Sequence, residues 1–153
     1  MHLDHFDRRI IATLQEDARM PVAAIAERVN LSATPVSRRI KRLEDEGLIR
    51  AYAPVLDELK LGFELNAYVL INLAAHSDEN IDAFEHEIAE NPYVIACHAV
   101  TGDSDYLVHV IARDVEHLSQ ITLRKLVRIK GVRDVRSIIV LETIKEANAL
   151  PLE

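Results

Sequence analysis

Arg38, Arg39, Lys41 and Arg42 fall within five positions, among the hydroxyls of Ser32, Thr34 and Ser37, and Glu44, Asp45, Glu46 and Gly47 follow. Guanidinium, ammonium and hydroxyl groups in one short run are the chemistry of phosphate and base-edge recognition. Arginine offers a two-pronged donor to guanine, while lysine and the hydroxyls reach phosphates or base edges. A solvated helix face is the plainer alternative, since charge runs usually mean no more. The distribution of charge favours recognition. The chain carries a formal net charge of -7, yet residues 1–60 hold 10 Lys+Arg against 10 Asp+Glu, while residues 61–153 hold 8 against 15. A neutral N-terminal part with a basic cluster can approach DNA, and an acidic remainder has a different partner.

The elements around the cluster must aim it. Asp4 is placed to cap a first helix, with Asp7 in its first turn and Phe6, Ile10, Ile11 and Leu14 on one face. Pro21 opens a second helix striped by Val22, Ile25, Ala26 and Val29, which must stop at Asn30, a residue tolerant of the left-handed conformation. Ser32 follows as the cap of a third helix, with Pro35 in its first turn, where a missing N–H costs nothing. At about 100° per residue, Ile40 and Leu43 share the buried face of Val36, and Thr34, Ser37, Arg38, Lys41 and Arg42 lie opposite. Arg39 is intermediate, and Gly47 suits the helix end. Two helices joined by a short turn, the second presenting small polar and basic residues, predict a helix-turn-helix. Residues 48–57 read as a small β-wing, kept short by Pro54.

Leu61-Gly62 marks the expected boundary, giving a winged helix-turn-helix over 1–61 (wing and linker 48–61) and a second domain over 62–153. Residues 63–73 alternate as a strand, 77–91 form a capped helix with Ile81, Phe84 and Ile88 inward, and two strands join across Gly102-Asp103-Ser104. A helix over 114–131, capped by Asp114 and closed by Gly131, leads to a last strand over 132–144. The order βαββαβ is the ferredoxin-like arrangement, so the fold class is α+β. The strands carry apolar residues on both faces, although two helices cover only one. The second face therefore calls for a partner subunit, and homodimerisation follows from the patterning.

These stretches resemble the Lrp/AsnC family of transcription regulators over essentially the whole chain. The matching segments are "LDHFDRRIIATLQEDAR", "AIAERVNLSATPVSRRIKRLEDEGLI", "CHAVTGDSDYLV" and "GVRDVRSIIVLETIK". The resemblance implies double-stranded DNA as a partner, dimers assembling further, often to octamers, and a small effector, commonly an amino acid, bound between subunits. Carried over by position, it implies that Ser32, Thr34, Ser37, Arg38, Lys41 and Arg42 face DNA. It also implies that the turn Thr101, Gly102, Asp103, Ser104, Asp105 and Tyr106 forms the effector site, with further contacts near Thr122, Arg136 and Ser137. Turn amides suit a ligand carboxylate, and Asp103 or Asp105 suits an α-ammonium group; Gly-Asp-Ser-Asp is also simply good turn chemistry.

Other functions are weighed against this one. An enzyme on the same scaffold, resembling family relatives that decarboxylate a tetrapyrrole, would need histidines and arginines converging on a pocket. Of the histidines at 2, 5, 76, 86, 98, 109 and 117, His98 and His109 fall on neighbouring strands, without metal-ligand spacing or a triad-like pattern. No catalytic residue, metal or cofactor is expected beyond the effector. Cys97, the single cysteine, lies in an apolar run and reads as a buried inert thiol. It excludes an internal disulfide and fits a reducing cytoplasm, as does the lack of a membrane span or an apolar leader.

Overall fold

The computed structural model describes residues 2–146 and 149–152, with every side chain among them except that of Leu123. Two compact units divide at Val55/Leu56, six residues before the expected boundary. The tail from Ile144 groups with the first unit and not with the second. The side-chain amide of Gln15 explains the grouping: it donates to the Leu150 carbonyl at 3.2 Å and accepts from the Leu150 N–H at 2.5 Å. Leu150 and Leu152 also line an apolar groove with Leu3, Ile11, Leu14 and Leu48.

In the first unit, α1 (His5–Glu16) opens with a reciprocal cap, in which Asp4 accepts from the Asp7 N–H at 2.9 Å and Asp7 from the Asp4 N–H at 3.1 Å. Helix α2 (Val22–Val29) ends at Asn30, which is left-handed at φ 57° and ψ 48°. Helix α3 (Ala33–Asp45) follows at once; Ser32 occupies its cap position, but its hydroxyl makes no cap bond. Gly47, with φ 74°, closes α3, and the Leu48 N–H returns to the Leu43 carbonyl at 2.9 Å in the pattern of a glycine-terminated helix. Ile10, Ile25, Ala26, Val29 and Val36 form the core. Residues 48–57 form no strand, so the expected wing lacks a ladder; Pro54 cannot donate to one, and no strand among the described residues of this unit offers a partner.

The second unit contains β1 (Leu65–Leu73), α4 (Asp78–Ala89), β2 (Val94–Ala99), β3 (Tyr106–Ala112), α5 (Val115–Arg124) and β4 (Val132–Ile139). The sheet is antiparallel in the order β2-β3-β1-β4, the ferredoxin-like order. Ala67, Val69, Ile71, Val108 and Val110 are buried together with Phe84, Leu118 and Ile121 from the helices.

Two expected boundaries are corrected. The helix expected over 114–131 stops at Arg124 and gives way to a 3-10 turn, Leu126–Arg128. Continued α-winding would carry Lys125 onto the face of Leu118 and Ile121. Three residues per turn place Leu126 and Ile129 inward instead, and they are 1% and 8% exposed. The last strand ends at Ile139 rather than 144, because its partner β1 starts at Leu65 and the Val140 N–H makes the final bond to Asn66. In β2 the register shifts between Val94 and Ala96, so Val94 and Cys97 both pack against the core, and Cys97, expected to be buried, is half-buried at its edge.

Candidate functional site

The outer surface of α3 is built by three local choices. Asn30 turns the chain tightly, Pro35 stiffens the first turn, and Val36 and Leu43, both fully buried, fix the helix rotation. That rotation leaves Ser32, Thr34, Ser37, Arg38, Lys41 and Arg42 exposed. Electrostatically the six are not alike. Among the described residues, the ion pairs of this helix involve Arg39 and Arg42 and neither Arg38 nor Lys41. Arg39 Nη1 donates to Asp4 and Asp7, each at 2.7 Å, and Arg42 Nη2 donates to Asp7 at 2.6 Å. Burial pushes the Asp7 carboxyl up, but hydrogen bonds from Arg39, the Asp4 N–H and Arg42 outweigh it and hold the group below the usual carboxylate range. The acids at the end of α3 also divide: Glu44 accepts from Tyr52 at 2.8 Å, and Glu46 lies 3.9 Å from Arg42 Nε. Burial, then the bond to Glu44, pushes the Tyr52 hydroxyl up to about 12.

The loop from Val100 to Asp105 is the second candidate. It is longer than the expected tight turn and is closed by the Val100 N–H to the Asp105 carbonyl at 2.9 Å. Gly102 has φ 114°, and a side chain added there would meet nothing within 4 Å. Thr101, Gly102 and Asp103 are exposed, whereas Ser104 and Tyr106 are 8% and 9% exposed. Asp105 is already engaged: its carboxylate accepts from the Leu73 N–H at 2.8 Å and lies 2.8 Å from His76 Nε2. The Leu73 N–H first, then His76, holds that carboxyl below its usual range. Asp105 thus anchors the loop to the end of β1, and Asp103 is the carboxylate open to a solute.

Thr122, 4% exposed, spends its hydroxyl on the Leu118 carbonyl at 2.9 Å. Arg136 pairs with Leu70 and Ser137 with Val69, so the alternation of the strand puts Ser137 on the helix side and Arg136 on the outer face. The two consecutive residues do not converge on one point of this chain.

Two families match the chain: "Winged helix-turn-helix DNA-binding" over residues 3–50 and "Lrp/AsnC ligand binding domain" over residues 66–150. The chain belongs to the Lrp/AsnC family. Among its relatives, the DNA-binding transcriptional activator DecR of Escherichia coli is 37% identical, with 99% of each chain aligned. The Bkd operon transcriptional regulator of Pseudomonas aeruginosa is 33% identical, with 98% of each aligned. A solved Neisseria meningitidis transcriptional regulator, in complex with L-methionine, superposes with a TM-score of 0.94 at 34% identity, covering 98% of this chain and 97% of that one. This Lrp/AsnC protein is a DNA-binding transcription regulator and not an enzyme.

The histidines of this Lrp/AsnC chain bear on the enzyme alternative. His98 faces Leu107 in the register and His109 faces Ala96, so the two share the outer sheet face with the Cys97–Val108 pair between them. His109 stacks on Tyr68 with centroids 4.6 Å apart, and its Nε2 lies 2.9 Å from Asn66 Oδ1. Among the described residues no group of three or more His, Cys, Asp or Glu is placed to hold a metal, and no helix is long and apolar enough to cross a membrane.

Sequence reasoning missed the partners of these residues. Asp7 was legible as a first-turn acid of α1, but its grip on Arg39 and Arg42 depends on how α1 crosses α3. His76 and Asn72 at the base of the 100–105 loop were also missed; Asn72 Oδ1 accepts from the Asp105 N–H at 3.2 Å. The available signal was the pair of asparagines, Asn66 and Asn72, in a largely apolar strand.

Proposed function

We propose that the regulator reads duplex DNA with Ser32, Thr34, Ser37, Arg38, Lys41 and Arg42 of α3, and that a small effector at the 101–106 loop tunes that binding. The observation that carries the first half is the exposed pair Arg38 and Lys41, which meet no acid within ion-pair distance among the described residues. Arg38 is the base-reading fork, and Lys41 and the hydroxyls hold the backbone. An amino acid is the effector class favoured by the ligand-binding family and by the methionine complex of the Neisseria relative. In this assignment the exposed amides around Gly102 take its carboxylate, Asp103 takes its ammonium group, and Thr122, Arg136 and Ser137 add contacts as the site is completed by a neighbouring subunit.

That assembly is a homodimer, building towards an octamer. Its support is the uncovered sheet face, where Tyr68, Ile95 and Ile138 are 38%, 46% and 49% exposed. The face is not purely apolar: Asn66, His109, Asp134 and Arg136 share it, and a partner has to match them. The labour divides between residues 1–61, which bind DNA, and 62–153, which sense and assemble, in the cytoplasm where the chromosome lies. Effector and DNA are then linked reciprocally, each biasing the assembly state that the other prefers.

The test uses a duplex that the protein itself selects from a random-sequence pool. Arg38→Ala is expected to weaken binding to that duplex by about 1–3 kcal/mol and to relax base preference. Equal affinity of variant and parent at fixed salt refutes the assignment. For the effector, a thermal-shift screen against the twenty amino acids should give a hit worth about 2.7 kcal/mol at a hundred times its Kd. Asp103→Ala should reduce that shift, and an undiminished one places the site elsewhere.

A further inference from the structure

Asp7 is a buried acid that grips an exposed cation of the recognition helix from behind. Its side chain is 1% exposed, against 22% for Arg39 and 43% for Arg42. Arg39 and Asp4 complete the inner group of two acids and two cations, and Glu46 adds a third acid at its exposed edge, so the cations are fully offset. Arg42 therefore differs from its neighbours. One amino group of its guanidinium is anchored 2.6 Å from Asp7 and its Nε lies 3.9 Å from Glu46, while the side chain stays exposed beside Lys41 and Arg38. A neutralised, anchored guanidinium is poorly suited to releasing counterions from phosphate. It is well suited to reading a base edge, because a planar fork held in one orientation has less rotamer freedom left to lose on binding.

We propose that Asp7 is a positioning residue for DNA recognition, which withdraws Arg42 from the phosphate-neutralising set and holds it as an oriented base reader. This rests on α3 being the DNA-facing helix. A plain α1–α3 ion pair would add stability and leave sequence discrimination alone; Asp7 in this role governs how the protein divides its affinity between specific and non-specific DNA.

The test compares the selected duplex with a scrambled one over a salt series. On the scrambled duplex, Lys41→Ala should lower the slope of log K against log salt by about 0.9, the value of one phosphate contact, whereas Arg42→Ala should leave the slope where it is. Arg42→Ala and the charge-keeping Arg42→Lys should each lower the specific-to-non-specific ratio about tenfold, as loss of one bidentate reader does. Asp7→Asn should release Arg42, steepening the slope by about 0.9 and lowering the ratio as well. If Asp7→Asn does not fold, the two Arg42 variants carry the test alone. A slope for Arg42→Ala that falls as far as that for Lys41→Ala overturns the role of Asp7, as does an unchanged ratio. A parent protein that binds duplexes without salt dependence overturns the assignment of the DNA face itself, and this proposal falls with it.

Discussion

In the helical unit the side chain of Asp7 lies buried between two arginines. In the sheet unit the buried polar residues among those described are Asn91, Ser104 and Thr122, none charged, and the core is Val69, Ile71, Phe84, Val108 and their neighbours. Three short helices bury little apolar area, so an ionic tie between α1 and α3 supplements a small core. The sheet, with two helices on one face, has area enough to hold without a buried charge. The difference also suits the two tasks. A surface that meets DNA can redistribute cations it already holds, whereas a domain that transmits a binding event needs a stiff frame.

The comparison breaks most directly on stability. Phe84 is fully buried, with its ring 4.3 Å from that of Tyr106, so Phe84→Ala should cost about 3–5 kcal/mol. Asp7→Asn keeps the shape of the side chain and weakens charged hydrogen bonds, for which about 1–3 kcal/mol is expected. Denaturant midpoints of the two variants at neutral pH decide the matter. A larger loss for Asp7→Asn than for Phe84→Ala would mean that the ionic tie, and not the apolar core, sets the stability of the chain.

A smaller effect sharpens the sheet half of the contrast. Gly131 and Gly102 both have positive φ, 86° and 114°, but a Cβ on Gly131 would lie 2.6 Å from Asn80 Cγ, whereas one on Gly102 meets nothing. Gly102→Ala should therefore cost only the backbone term, about 1–2 kcal/mol. Gly131→Ala must also displace Asn80, which bonds the Ala75 carbonyl, adding about 1 kcal/mol. Thermal unfolding of the pair measures the gap; equal losses would show that the packing around Gly131 yields as freely as the open loop.

Local chemistry was legible in the sequence, and crossings between elements were not. Asp4, Asn30, Pro35 and Gly47 announced where three helices begin and end because caps and breakers act within a few residues. The apolar spacing of Val36, Ile40 and Leu43 was enough to point Arg38 and Lys41 outward. Nothing within a few residues of Arg42 announced Asp7, 35 positions away. Likewise the shift in β2 that sends Cys97 inward is set by β3, and the end of β4 by where β1 begins. The break after Arg124 was in principle readable, since Lys125 sat where the helical stripe demanded an apolar residue.

The smallest effect concerns pH, and it separates the two units by where acid is felt. Asp7 has its folded pKa below the ordinary 3.8, so its contribution is complete above that value and is lost as pH falls through the lower folded value. His109 on the sheet is also lowered, from 6.5, by burial, with Glu58 acting in the opposite direction. Between its folded pKa and 6.5 the unfolded chain binds the extra proton, so stability falls as the solution is acidified through that window. The sheet unit should therefore weaken at a pH where the helical unit still keeps all that Asp7 supplies. Amide signals assigned to each unit, followed through thermal unfolding across about pH 3 to pH 8, resolve the two steps, and His109→Gln should remove the upper one. The Asn66 contact at 2.9 Å and the stacked Tyr68 ring hold the imidazole, and glutamine keeps a polar group there without the titration. An upper step that survives His109→Gln would assign it to another group and remove His109 from the contrast between the two units.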